Sequence, residues 1–353
     1  MRRMSAIPTV LGLVLALHLP GAVAAAGQDK AFGPVRANPG EIRSGYLQVP
    51  GPDGQAAAIP VTVIRGLREG PTLALVAGVH GYEYPPILAL YRLKTILDPK
   101  ALTGTLVLVH IANPPSFRAR TIYYNPFDGK NLNRVFPGDP NGTLSQRMAL
   151  VLTTEIVEKC DALIDMHCGD GNEALMLYSY WMISPQAELN ERTKAMALAF
   201  GLRHIIIDDT RGPDPADSKY LGNTALTRGI PAITTEAGML GRTDEDSIAR
   251  NLQGALNVMK LLKMIEGRPP VLENPVWIDK YEVVASNHDG LFAPAVELGA
   301  MVEAGQTVGV VRDDLGDIVE ELKAPFAGII LYIINTPPAN KGEPLFEVGR
   351  IKL

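Results

Sequence analysis

Cysteine is almost absent from this chain: Cys160 and Cys168 are the 2 among 353 residues. Two thiols are too few for a disulfide framework or for a structural zinc site closed by cysteines. A helix-like run ends at Cys160, and an extended run, 162–166, separates it from Cys168, so two buried free thiols are expected. Excess positive charge is missing too. Against 38 Asp and Glu stand 33 Lys and Arg, a net charge of −5, and no basic stripe is visible. Nucleic acid and anionic membranes are thereby excluded as general partners. Beyond the N-terminus there is no apolar run of membrane length, no repeat of solenoid period and no low-complexity tract. What remains is a globular chain long enough for more than one core.

The first residues read as a targeting segment. Arg2 and Arg3 precede a short apolar stretch, 7–19, and then the small residues Ala22-Val23-Ala24-Ala25-Ala26. That is the order of a secretory signal peptide. Residues 1–26 are expected to be removed; an uncleaved N-terminal anchor is the alternative. No cysteine follows the stretch closely, which argues against a lipoprotein. The expected location is the periplasm.

Residues 43–65 read as a hairpin, turning at Pro52-Asp53-Gly54. Short apolar segments then alternate with amphipathic ones. Strands are expected at 73–77, 106–111, 162–166, 174–178, 204–207 and 232–235. Helices are expected at 86–97, 145–159, 186–200, 218–228 and 245–266. Continuous apolar strands between helices imply a largely parallel sheet covered on both faces, an α/β fold. Ligands bind such sheets beyond the carboxyl ends of the strands. Pro269-Pro270 breaks the pattern, so residues 27–270 form one expected domain and 271–353 a small all-β second one.

The chemistry-bearing residues sit where that fold would use them. His80 and Glu83, in Val79-His80-Gly81-Tyr82-Glu83, follow the first apolar strand, and His167 ends Asp165-Met166-His167. Two imidazoles and a carboxylate make a hydrolytic zinc site with one position open for water, one ion per chain. Zinc there would bring the pKa of its water towards about 7 and polarise a carbonyl. Glu236, after Thr234-Thr235, is a carboxylate leaving a buried strand. It reads as the general base, with an N-cap or salt bridge as the bland alternative. Asn133 and Arg134, in a Pro- and Gly-rich loop, can grip a carboxylate, Arg134 through its planar fork. His110 reads as a core histidine, and His204 and His288 have no partner motif. Tyr178 and Tyr180 are explained equally by strand alternation and by a pocket wall.

Taken together, Gly78-Val79-His80-Gly81-Tyr82-Glu83, Asn113-Pro114, Asn131-Leu132-Asn133-Arg134-Val135-Phe136-Pro137-Gly138, Asp165-Met166-His167 and Thr235-Glu236-Ala237-Gly238 resemble the succinylglutamate desuccinylase and aspartoacylase family. That family is a branch of the zinc carboxypeptidase superfamily. The resemblance spans about residues 40–350. It implies a zinc-carboxypeptidase-like α/β/α sandwich with zinc on His80, Glu83 and His167. It implies Glu236 as base, and Asn133 with Arg134 on the substrate carboxylate. The implied reaction is hydrolysis of an amide in an N-acyl amino acid or similar small carboxylate-bearing molecule. Two departures stand out. Asn131 replaces the usual Asp of the loop, and Tyr123 falls where the family carries an arginine that polarises the scissile carbonyl. With the loop one residue longer, Arg120 is the expected substitute.

The C-terminal segment resembles a biotinyl or lipoyl barrel, through Val296-Glu297-Leu298-Gly299 and Ala324-Pro325-Phe326-Ala327-Gly328. Its hairpin tip, near residues 314–317, has no lysine to modify, and Lys323 is misplaced. It is therefore expected to wall the approach to zinc. The expected activity is that of an exported zinc amidohydrolase, compatible with a homo-oligomer. A metallocarboxypeptidase for short peptides or cell-wall fragments is the alternative within enzymes, and a ligand-binding protein without catalysis the alternative outside them.

Overall fold

A computed structural model describes residues 31–352; the expected signal segment, 1–26, lies outside the described residues. Two strands open the fold as a hairpin, β1 (Glu41–Pro50) and β2 (Ala56–Arg65), paired from Glu41↔Arg65 to Pro50↔Ala56. Then follow β3 (Arg68–Ala77), α1 (Tyr84–Ile96), β4 (Thr103–Val109), α2 (Pro114–Ala119), α3 (Leu144–Glu155) and β5 (Ala162–His167). Next come β6 (Glu173–Leu175), β7 (Tyr178–Met182), α4 (Ala187–Phe200), β8 (His204–Asp208), α5 (Leu221–Leu226), β9 (Ala232–Glu236) and α6 (Glu245–Leu261). The rest is strand: β10 (Val276–Ala285), β11 (Gly290–Pro294), β12 (Met301–Val302), β13 (Thr307–Arg312), β14 (Ile318–Lys323), β15 (Gly328–Ile334), β16 (Pro338–Ala339) and β17 (Pro344–Ile351).

The central strands are apolar throughout because both faces are covered. Along β3, Leu73, Leu75 and Ala77 pack with α1, α4 and α6, whereas Ala74 and Val76 pack with α3 and α5. This α/β/α arrangement is the sandwich that the motif pattern implies. Capping keeps the helices in place. Thr143 and Gln146 close a capping box at the start of α3, and Asp244 accepts from the Ser247 N–H at 2.9 Å to start α6.

The sheet is mixed rather than largely parallel. β4, β3, β5 and β9 run parallel, but β7 is antiparallel to β9, and β1 and β2 add an antiparallel edge. The single strand expected at 174–178 is two elements. β6 pairs with β15, Leu175 opposite Tyr332, while β7 joins the main sheet. Tertiary pairing with the C-terminal strands thus divides a segment that is apolar throughout. The helix expected at 218–228 is confined to α5, since Lys219 takes a left-handed backbone (φ 62°). α6 ends before 266 for the same reason at Lys263 (φ 58°).

The main sheet does not stop at Pro270. β10 pairs in parallel with β8, Val276–Ile278 against residues 204–206, and β17, β15 and β12 continue outward to complete 13 strands. The second, 4-stranded sheet, β14-β13-β11-β16, closes over a core of its own that includes Phe292, Leu345 and Phe346. The β13–β14 hairpin places its turn at residues 313–317, and Lys323 lies at the far end, opposite Thr307.

Trp181 on β7 and Trp277 on β10 meet edge to face across the junction, centroids 5.8 Å apart. A continuous sheet predicts that both regions unfold together. Urea unfolding followed by tryptophan fluorescence and by far-UV circular dichroism should trace one coincident transition. Ile278→Ala, at a fully buried position, should lower stability by about 2–5 kcal/mol without splitting that transition. Two separated transitions would contradict this.

Candidate active site

A cavity of about 530 Å³ opens at the carboxyl ends of β3, β5 and β9. His80 and Glu83 enter it from the turn between β3 and α1. Gly78 turns the chain with φ 68°. Gly81 lets the turn lie on the backbone of Thr121, where a Cβ would stand 2.3 Å from the carbonyl oxygen. His167 ends β5, in register with Glu236 at the end of β9.

Both imidazoles present Nδ1 to one oxygen. Glu83 Oε1 lies 2.8 Å from His80 Nδ1 and 2.9 Å from His167 Nδ1. One donor atom from each residue falls within 4.8 Å of the others. The outer ring nitrogens are held from behind. Asn131 Oδ1 is 3.1 Å from His80 Nε2 and also accepts from the Asn133 backbone N–H at 2.8 Å, which identifies the oxygen end of the amide. His80 Nε2 therefore donates, and Nδ1 turns its lone pair inward. Asp165 Oδ1 stands 2.9 Å from His167 Nε2 as an ion-pair contact, off the line of a good hydrogen bond. Its charge favours the same tautomer on His167. Three lone-pair donors directed at one spot repel each other unless a cation or protons intervene. Their number, type and direction fit a divalent ion of the zinc class with a position left open.

The electrostatics agree. Burial opposes charge on His80, but Glu83 outweighs it and raises the imidazole. Burial likewise opposes charge on His167, and Asp165 with Glu83 lifts it well above the ordinary histidine range. Burial alone would raise Glu83; the two imidazoles hold it far below the usual carboxylate range.

Glu236 shares this wall. Its Oε2 is buried with no hydrogen-bond partner among the described residues. Burial pushes its carboxyl well up, against the pull of His167 and with the push of Glu83. Asn133 and Arg134 serve different ends. Asn133 is buried: its Oδ1 accepts from the Leu221 N–H at 2.8 Å, and its Nδ2 lies 3.2 Å from His167 Nε2 and 3.5 Å from Asp165 Oδ2. Its amide oxygen is engaged by the backbone, and its Nδ2, facing Asp165 and the protonated edge of His167, lines the cavity. Arg134 lies at the exposed rim, 4.7 Å from the Tyr220 ring centroid, with one Nη1 bond of 2.8 Å to the Asn133 carbonyl.

The expectation for Arg120 needs correction. Arg120 ends α2 with a left-handed backbone (φ 55°), is exposed, and is not part of the cavity wall. The loop instead turns Tyr123 inward. Its ring meets His80 edge-on, centroids 5.9 Å apart, and its hydroxyl donates to Glu173 Oε1 at 2.7 Å. The arginine that does reach the cavity alongside Arg134 is Arg211, which the sequence reading missed. Arg211 pairs with buried Asp208 and stacks 3.8 Å from the Tyr220 centroid. A signal was present: Asp208 ends β8, the same strand-end position that flags His167 and Glu236. Cys160 and Cys168 are both free and buried. His110 is a core histidine, bonded to Thr62 at 2.8 Å and pushed down to about 4 by burial.

The surroundings of this site define a class, a carboxypeptidase-like α/β protein with a buried His-Glu-His group at its strand ends. The pattern of the Succinylglutamate desuccinylase/Aspartoacylase catalytic domain matches residues 69–262. The chain is 33% identical over 284 residues to the N-alpha-acetyl-L-2,4-diaminobutyric acid deacetylase of Halomonas elongata, covering 77% of this chain and 80% of that one. Among solved structures, the product-bound ectoine utilization protein EutE (DoeB) from Ruegeria pomeroyi superposes with TM-score 0.79 at 25% identity, over 92% of this chain and 100% of that one. The succinylglutamate desuccinylase/aspartoacylase from Rhodobacter sphaeroides gives 0.76 at 27% identity, over 88% and 96%. The chain belongs to the succinylglutamate desuccinylase/aspartoacylase family, and its relatives are deacylases acting on amide bonds.

The groups behind the histidines generate a prediction. Asn131→Ala and Asp165→Asn leave His80, Glu83 and His167 in place but loosen their orientation. Each should weaken zinc affinity by about 10–100-fold in a chelator competition. Unchanged affinity in both would remove these residues from the support of the site.

Proposed function

We propose that this protein is an exported zinc-dependent deacylase that hydrolyses the amide of an N-acyl amino acid. One observation supports this most: the three inward-facing donors, the unpartnered Glu236 carboxylate and the Arg134 fork share one cavity. When bound to His80, Glu83 and His167, zinc supplies acidification of water and polarisation of the amide carbonyl. The chain's own groups do the rest. Arg134, and Arg211 beside the same tyrosine, hold the substrate carboxylate at the rim. Glu236 accepts a proton from the attacking water and returns it to the departing amine nitrogen. The amide C–N bond breaks, and the acyl group leaves as a carboxylic acid. Tyr123 packs against His80 and keeps bulk solvent from that side.

The shape of the cavity favours a small amide over an extended peptide. Tyr281, Tyr332, Pro344 and Glu347, all from the C-terminal strands, line the same space as His80. Bulky C-terminal side chains in a cavity of about 530 Å³ favour the acyl amino acid reading over the metallocarboxypeptidase one. The unpartnered Glu236 likewise favours catalysis over ligand binding alone. Export belongs to the proposal through the signal-like segment 1–26. N-terminal sequencing of the protein from the periplasm should find Met1 and its followers removed; a retained Met1 would contradict export by cleavage.

Hydrolysis of a panel of N-acyl amino acids and dipeptides by the zinc-loaded chain tests the activity. Glu236→Gln should lower turnover by about 10² or more while zinc remains bound. Full activity in that variant, or faster cleavage of dipeptides than of acyl amino acids, would contradict the proposal. Arg134→Lys keeps the charge and loses the fork. It should impair substrates with a free carboxylate much more than their carboxamides; equal losses on both would give Arg134 another task.

A further inference from the structure

β17 carries an acid inside an apolar run. Phe346 and Val348 are fully buried in the C-terminal core, so Glu347 between them faces the other way, into the cavity. It is only 2% exposed, and its Oε1 has no hydrogen-bond partner among the described residues. Tyr178 is the neighbour that favours its charged form. The charges that act on it are mostly of its own sign, Glu173 and Asp208, and Arg211, which opposes them, is already paired with Asp208. Burial, reinforced by Glu173 and Asp208, pushes its carboxyl up to about 8. So placed, the acid is held neutral until a cation joins it and makes the carboxylate favourable.

Its position relates it to the chemistry. Tyr178 stands directly opposite Glu236 in the β7–β9 ladder, so Glu347 lies across one tyrosine from the proposed base. Tyr178 packs on Tyr180 at 5.4 Å, and Tyr180 on Tyr281 at 6.0 Å, edge to face. Phenol oxygens and ring faces beside a carboxylate suit an ammonium group, which brings three donors and a compact charge. Arg134, at the exposed rim, answers the substrate carboxylate; Arg211 lies nearer, 5.6 Å from the Tyr180 ring centroid and paired with Asp208.

We propose that Glu347 anchors a cation subsite, so that the acyl amino acid deacylated here carries an ammonium group on its side chain. This rests on the deacylase reading and deepens it. Glu347 acts on specificity and takes no part in proton transfer at the amide.

The test compares the zinc-loaded full chain with Glu347→Gln and Glu347→Asp on Nα-acetyl-2,4-diaminobutyrate, Nα-acetylnorvaline and Nα-acetylaspartate. The wild type should prefer the cationic substrate. Glu347→Gln should lower kcat/KM on it by about 30-fold or more, the loss typical of an unpaired desolvated charge, and change the neutral substrate little. Glu347→Asp keeps the charge and should retain much of the preference. Calorimetric binding of the free products, 2,4-diaminobutyrate against norvaline, reads the same subsite without turnover. Hydrolysis with no preference for the cation, equal losses on both substrates in Glu347→Gln, or equal binding of the two products would overturn the subsite. Cationic product binding that depends on Glu347, with no acyl amino acid hydrolysed, would leave the subsite standing and overturn the deacylase reading instead.

Discussion

One carboxylate oxygen organises this molecule's chemistry. Glu83 Oε1 sits between two imidazole Nδ1 atoms at hydrogen-bond distance, and everything nearby serves to hold that convergence. His167 is fixed by the register of β5, and Glu83 by the start of α1. Asn131 and Asp165 brace the rings from behind. Buried like charges and lone pairs are costly unless compensated. The arrangement is therefore one that fits a divalent cation, with protons on the imidazoles as the other way to compensate it.

The second constraint is the continuity of the sheet. Because β10 adds to β8 and β17 adds to β10, the C-terminal strands cannot drift away from the catalytic strands. They supply Tyr281, Tyr332 and Glu347 to the cavity wall. The metal-side wall comes from the parallel strand ends, and the facing wall from the C-terminal strands. The first suits amide chemistry in general; the second selects among substrates.

The convergence of His80, His167 and Glu236 was legible in the sequence because each stands at or just past a strand end marked by an apolar run. The periodicity of 73–77, 162–166 and 232–235 locates those ends within a residue or so, and chemistry-bearing side chains stand just beyond them. The facing wall was not legible in this way. Glu347 and Tyr281 reach the cavity through antiparallel pairings over long sequence separations, which local pattern does not encode. The split of 174–178 into β6 and β7 has the same origin, since β6 exists only by pairing with β15. Arg120 does not reach the cavity because a loop's direction depends on single backbone angles, here the left-handed turns at Arg120 and Tyr123. Asn133 shows a further limit: residue type indicated a polar grip, and only the packed structure shows that its amide oxygen is taken by the Leu221 N–H.

X-ray absorption at the zinc edge of the metal-loaded protein tests the central claim most directly. The account predicts one ion per chain with only nitrogen and oxygen neighbours at about 2.0–2.2 Å, including the outer-shell signature of two imidazoles. A sulfur neighbour at about 2.3 Å would instead place Cys168 on the metal and contradict the three-ligand site. Failure of the protein to retain zinc at all would contradict it as well.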